Sequence, residues 1–159
     1  MTLKEEAGFT MIELIVVITI LAILAAVALP RFVGLQVEAR IAKINGALGA
    51  MKAGAALARS VQLTQGLPPN TSVVMEGATV TMANGYPTVS SIVIAAGITS
   101  ADFPVTAPST VSGLQQISVQ ADLNHPNCAV IYREAGVNGA PVYGTPLDPS
   151  NATDRTNCA

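Results

Sequence analysis

Charge is scarce in this chain. Only 11% of its 159 residues are Asp, Glu, Lys or Arg, where an ordinary soluble domain carries about 25%. A disordered chain needs the opposite balance, with high charge and few apolar groups, so disorder is excluded. A simple soluble monomer is also disfavoured. Aromatic residues make up 4% and tryptophan is absent, so the apolar half of the sequence rests on Ala, Val, Ile and Leu. The single histidine, His125, excludes a histidine metal cluster. No G-x-S-x-G nucleophile element is present. The expectation is therefore a protein without catalytic residues, resident metal or cofactor. The length suits one modest domain and one additional element.

The hydrophobicity is concentrated. Phe9 to Leu29 reads FTMIELIVVITILAILAAVAL, with Glu13 as its one charge. As a helix this run spans about 31 Å, one hydrocarbon core. A removed secretory signal fits poorly. The run exceeds the usual apolar core of such signals, the preceding MTLKEEAG is not net positive, and no small-residue cleavage site ends it. A retained membrane helix is expected instead.

The next segment is basic. Arg31, Arg40, Lys43, Lys52 and Arg59 face only Glu38, whereas from Ser60 onward Arg133 and Arg155 face six carboxylates. The chain reads as an apolar anchor, a basic stalk and an acidic head. The positive-inside rule would place the stalk in the cytoplasm; the two cysteines, both in the head, favour the other side. Five cations without stacking aromatics make a nucleic-acid surface a poor reading. Val37, Ile41, Ile44, Leu48, Met51, Ala55 and Ala58 form one helical stripe. Leu35, Ala39, Ala42, Gly46, Ala50, Ala53 and Leu57 form a second, small-residue face. Such a face suits close helix–helix approach or a fully buried core helix. Gly34, Gly46, Gly49 and Gly54 weaken the helix unless curvature or tight contacts need them. Pro30 should kink or locally open it.

The helix is expected to stop near Gln65-Gly66, before Pro68-Pro69. Val73–Met75 and Ala78–Met82 flank Glu76-Gly77 as a hairpin or bulged strand. Asn84-Gly85-Tyr86-Pro87 is a turn. Thr88 to Ala96 reads as a short helix capped by Thr88 or Ser90 and stopped by Gly97. Gln116–Asp122 and Cys128–Glu134 alternate as strands, and Pro141-Val142-Tyr143 follows as an antiparallel partner. Pro146 to Cys158 reads as an irregular polar tail.

Glu13 is the most informative residue. A carboxylate in a membrane helix is costly and usually finds a partner. No Lys or Arg lies between Lys4 and Arg31. A cut after Gly8 would leave a free amine on Phe9, one helical turn from Glu13. That amine could pair within the chain or with an adjacent chain, which would fix an axial register; a protonated, uncharged Glu13 is the other reading.

Gly8-Phe9-Thr10-Met11-Ile12-Glu13-Leu14, the apolar run and Pro30 together closely resemble the processing and assembly motif of type IV pilins and type II secretion pseudopilins. The resemblance implies cleavage by a prepilin peptidase between Gly8 and Phe9 and N-methylation of Phe9. It implies that Glu13 pairs with the Phe9 amine of a neighbouring subunit. It implies an α+β fold, a long N-terminal α-helix whose second half packs on an antiparallel β-sheet, with the head periplasmic in the precursor. The positive-inside rule would then mislead. A C-terminal disulfide loop closed by Cys128 and Cys158 is similar to the pilins proper rather than the pseudopilins. Such a bridge across about 30 residues would contribute roughly 3–4 kcal/mol. PRFVGLQVEAR, the Asn84–Pro87 turn and CAVIYREA look like the mannose-sensitive haemagglutinin type of pilin.

The implied organisation is a leader over 1–8, an assembly and membrane helix over 9–29, a stalk over 30–65 and a head over 66–159. The implied function is a structural subunit polymerising into an extracellular pilus for surface attachment, with a secretion pseudopilin as the alternative. Its partners would be its own copies, the prepilin peptidase, the inner-membrane assembly machinery and the membrane before assembly; no nucleic acid is expected. Among the remaining features, Asp148, Ser150, Asn151 and Asp154 offer calcium-compatible oxygens without a firm loop pattern. Asn70 and Asn151 sit in glycosylation-type sequences. His125 reads as a loop residue.

Overall fold

A computed structural model describes residues 8–159. Helix α1 runs from Met11 to Thr64. The chain forms two compact units, one reaching Gln36 and one from Val37 to Ala159, and α1 contributes to both.

In the first unit every described residue is exposed or, for Ala28 and Gly34, partly so. Helical conformation continues through Pro30 on both sides. The expected local opening there is not found. A proline removes one backbone donor, and the remaining hydrogen bonds of a long helix hold the segment together.

The second unit is built around the stripe read from the sequence. Val37, Ile41, Ile44, Leu48, Met51, Ala55 and Ala58 are all buried. All of them but Ala58 pack in one core with a four-stranded antiparallel sheet in the order β5 (Ser109–Val111), β6 (Leu114–Gln120), β7 (Ala129–Arg133) and β8 (Val142–Tyr143). Alternation does the work in β6 and β7. Ile117 and Val119 on one strand, and Val130 and Tyr132 on the other, point into the core. They sit side by side, with Ile117 opposite Tyr132 and Val119 opposite Val130. Tyr132 is fully buried and donates its hydroxyl to the Pro87 carbonyl at 2.6 Å. Two hairpins complete the unit: β1 (Val73–Met75) with β2 (Ala78–Val80), and β3 (Met82–Ala83) with β4 (Tyr86–Pro87). Val73, Val80 and Met82 pack with Ala58 in a smaller cluster.

Short helix α2 (Val89–Ala95) follows Thr88 as expected and stops before Gly97, which has φ +63°. Its cap differs from the expectation. Thr88 makes no side-chain capping bond, and the Val89 N–H donates to the Glu134 carboxylate of the loop after β7 at 2.8 Å. A residue distant in sequence thus performs the cap. Gly54 lets α2 approach closely. A methyl group there would overlap the Ala95 carbonyl oxygen and lie 2.6 Å from its carbon.

The C-terminal segment is more ordered than its sequence indicated. It contains helix α3 (Ala152–Asn157), whose N-cap Asn151 accepts from Thr153 N–H at 2.8 Å and Asp154 N–H at 3.3 Å. Cys128 and Cys158 form a disulfide, and both are fully buried. Asn45 on α1 brackets the same segment: its amide donates to the Leu147 carbonyl at 2.7 Å and accepts from the Leu147 N–H at 2.8 Å.

Candidate functional site

The motif region begins with Gly8, Phe9 and Thr10 ahead of α1. Phe9 is 88% exposed. Thr10 and Glu13 cap the helix reciprocally. The Glu13 N–H donates to Thr10 Oγ1 at 3.2 Å, while Thr10 N–H and Oγ1 donate to Glu13 Oε2 at 3.2 and 3.0 Å. This is a capping box: two orphan donors of a helix start are satisfied by two side chains three residues apart. Thr10 is the residue that the sequence reading missed. The T-x-x-E spacing before an apolar run is a recognised signal for it. Thr10 is a local partner for Glu13 distinct from the Phe9 amine.

Beyond the cap, α1 offers an unbroken apolar surface. Ile12, Leu14, Ile15 and the residues to Leu29 lie in water-accessible positions. The helix is long and apolar enough to cross a membrane, and the most apolar part of it has none of its residues buried. The motif and Pro30 share this element, whereas Cys128 and Cys158 belong to the second unit.

In that second unit the basic stalk finds its partners. Arg40 Nε lies 3.1 Å from Asp122 Oδ2, and Arg40 also donates to the Cys158 carbonyl at 2.8 Å. Lys43 donates to the Ala121 carbonyl at 2.6 Å and sits over the Phe103 ring. Arg155 pairs with Glu38 at 3.4 Å. His125 Nδ1 meets Asp122 Oδ1 at 2.6 Å, and the N–H groups of Asn124 and His125 donate to the same oxygen. The His125 side chain, with the two backbone donors, holds the Asp122 carboxyl below its usual range against a smaller opposing effect of burial. His125 is thus a loop residue as expected, with a structural role that its sequence context did not show.

The calcium-compatible oxygens are turned onto the loop's own donors. Asp148 Oδ1 accepts from the Ser150 N–H and hydroxyl at 2.8 and 2.7 Å, and Asp154 Oδ2 accepts from the Asp148 N–H at 2.8 Å. The Ser150 contacts lower the Asp148 carboxyl's affinity for a proton. Asn70 Oδ1 likewise accepts from the Asn84 N–H at 2.8 Å.

Comparison with known proteins bears on the motif region first. Residues 3–29 match the family described as the prokaryotic N-terminal methylation motif. A curated relative, the type IV narrow pilus major component PilA5 of Thermus thermophilus, is 44% identical over 61 residues, covering 38% of this chain. Over this segment the chain is similar to a type IV pilin and carries the methylation motif of that kind of protein. The matched part spans about half, 51%, of that relative's length. No solved structure matches the chain. The fold, a long N-terminal helix with antiparallel sheets and a C-terminal disulfide, agrees with the expected α+β class.

Proposed function

We propose that the chain is the structural subunit of an extracellular type IV pilus used for surface attachment. The observation that carries this reading is the first unit: an exposed apolar helix with one carboxylate, at its capped start, inside a methylation motif. A prepilin peptidase cuts between Gly8 and Phe9, and Phe9 is N-methylated and keeps a basic amine. Glu13 of an incoming subunit pairs with the Phe9 amine of its neighbour as the apolar helix leaves lipid for a bundle of its own copies. Desolvation strengthens such a pair, because neither charge can be left alone in a medium of low polarity.

Before assembly the chain is anchored in the inner membrane with its head in the periplasm, beside the assembly machinery. The disulfide and the likeness of Pro30–Arg40 and Cys128–Ala135 to mannose-sensitive haemagglutinin pilins support the attachment role over a secretion pseudopilin. The test has two readouts. Mature protein should begin at a methylated Phe9 by mass. Glu13→Ala should leave processing intact and cut filament yield at least tenfold. Undiminished filaments from that variant would refute the charge pairing, and surface filaments absent at native expression would favour the pseudopilin.

A further inference from the structure

Two features of the second unit are locally unsatisfied, and they are complementary. The first is a groove of about 380 Å³ along α1, lined among others by Lys52, Arg59, Ser60, Leu63, Tyr86 and Tyr143. Lys52 lies over the Tyr143 ring at 5.7 Å and Arg59 over the Tyr86 ring at 4.5 Å. The rings hold the two cations in place without neutralising them. Among the described residues no carboxylate lines this groove, and the ion pairs found elsewhere use Arg40, His125 and Arg155 instead. Arg59 has one long hydrogen bond, 3.4 Å, to the Gly85 carbonyl. Burial pushes the Tyr143 hydroxyl up to about 12, so it stays a donor. The groove therefore presents donors and positive charge with no acid of its own.

The second feature is the tip of the β1–β2 hairpin. Its two turn residues are Glu76 and Gly77, with φ of 50° and 80°. A two-residue hairpin turn with both φ positive favours Asn, Asp or Gly at its first position. A glutamate there is strained, and none of the ion pairs among the described residues uses it. A local rule broken without an internal gain points to a function outside the fold.

We propose that Glu76 of one copy docks into the Lys52–Arg59 groove of another copy. This rests on the filament reading above. The occupant is a second copy because this chain itself carries an exposed, strained and unpaired carboxylate on a protruding turn, matched in charge to the groove. The two patches lie on different faces of the same unit. Glu76 lines a separate groove with Leu57, and Leu57 is about 140° around α1 from the centre of the Lys52, Arg59 and Leu63 stripe. An interface joining two patches on different faces is heterologous, so it joins copies head to tail, into a ring or an open filament, rather than closing a two-fold dimer.

Charge reversal tests this in the full chain expressed as the filament subunit. Glu76→Lys and Lys52→Glu should each lower filament yield at least fivefold, with tyrosine-monitored melting of the monomer unchanged. Combining them should restore yield to within twofold of wild type. Zero-length carbodiimide cross-linking of wild-type filaments should yield a Lys52–Glu76 peptide. Normal filaments from Glu76→Lys, a double variant no better than Lys52→Glu alone, or the absence of that cross-linked peptide would each overturn the proposal. So would normal assembly of Lys52→Glu coupled with lost binding of filaments to polygalacturonate, which would give the groove to an acidic saccharide. If the wild-type chain forms no filaments, the subunit reading fails; if it forms filaments that ignore these substitutions, only the docking fails.

Discussion

Residues 11–36 and 37–64 belong to one helix, yet their apolar side chains meet different fates. From Val37 onward a narrow stripe is buried by the sheet, and polar side chains of the same helix fix the loops around it. From Met11 to Leu29 the side chains other than Glu13 and Thr19 are apolar around the whole circumference, and no residue up to Gln36 is buried. The first pattern is that of a helix with its partner in the same chain. The second requires a surrounding that is apolar on all sides, which only lipid or other helices provide. The contrast teaches that this chain buries its apolar surface within its own fold in one part and leaves it uncovered in the other.

The sharpest way to break the contrast is to damage the folded part alone. All three tyrosines, Tyr86, Tyr132 and Tyr143, lie beyond residue 66, so their signal reports that part in the full chain in detergent. Cys158→Ser should lower its unfolding free energy by roughly 3–4 kcal/mol, while recovery of the precursor in the membrane fraction is unchanged. Gly54→Ala comes next. Its methyl group would collide with backbone of α2, and overpacking of this kind costs about 1–3 kcal/mol. Gly46 and Gly49 are the counter-case, because nothing lies within 4 Å of a methyl group at either. Gly46→Ala and Gly49→Ala should each raise head stability by about 0.5–1 kcal/mol. Gly46→Ala, which lies on the small-residue face, should also reduce filament yield if that face meets a neighbour, which counting filaments by microscopy would reveal.

Acid has the smallest expected effect. Asp122 is held below its ordinary value of about 3.9. Its charged form therefore stabilises the folded head above that pH, and the contribution fades as pH falls through the lowered value. Its side chain is 37% exposed, so solvent screening keeps the effect under about 1 kcal/mol. In Asp122→Asn the tyrosine-detected unfolding midpoint should depend less on pH between 5 and 2 than in wild type.

Much of this was legible because it is periodic. The buried stripe, strands β6 and β7, the helix stop and the Glu76-Gly77 hairpin follow directly from spacing and turn chemistry. What was not legible depends on residues far apart in sequence. Glu134 caps α2, Asn45 reads the backbone of Leu147, and Arg40 reaches Cys158 across the fold; no local window contains both partners. Strand β5 is a three-residue edge, too short for alternation to register. Helix α3 was hidden by a polar composition that reads as loop, although Asn151 before it is a good cap. The charge asymmetry was visible but its meaning was not: several of the stalk's cations secure the acidic head to its own helix, and topology in a membrane is a separate matter.

The Thr10–Glu13 box has a consequence for timing. On the filament reading proposed above, a subunit held in a bilayer would carry Glu13 as an unused charge, and a bare carboxylate there would invite protons, water or the wrong partner. Here the carboxylate has a resting place three residues away, made of one hydroxyl and one N–H. On that reading, recruitment would exchange one set of bonds for another, and the subunit would be latent rather than incomplete. Removing the hydroxyl with Thr10→Ala would shorten that latency, visible as precursor lost faster in a pulse-chase before any filament appears.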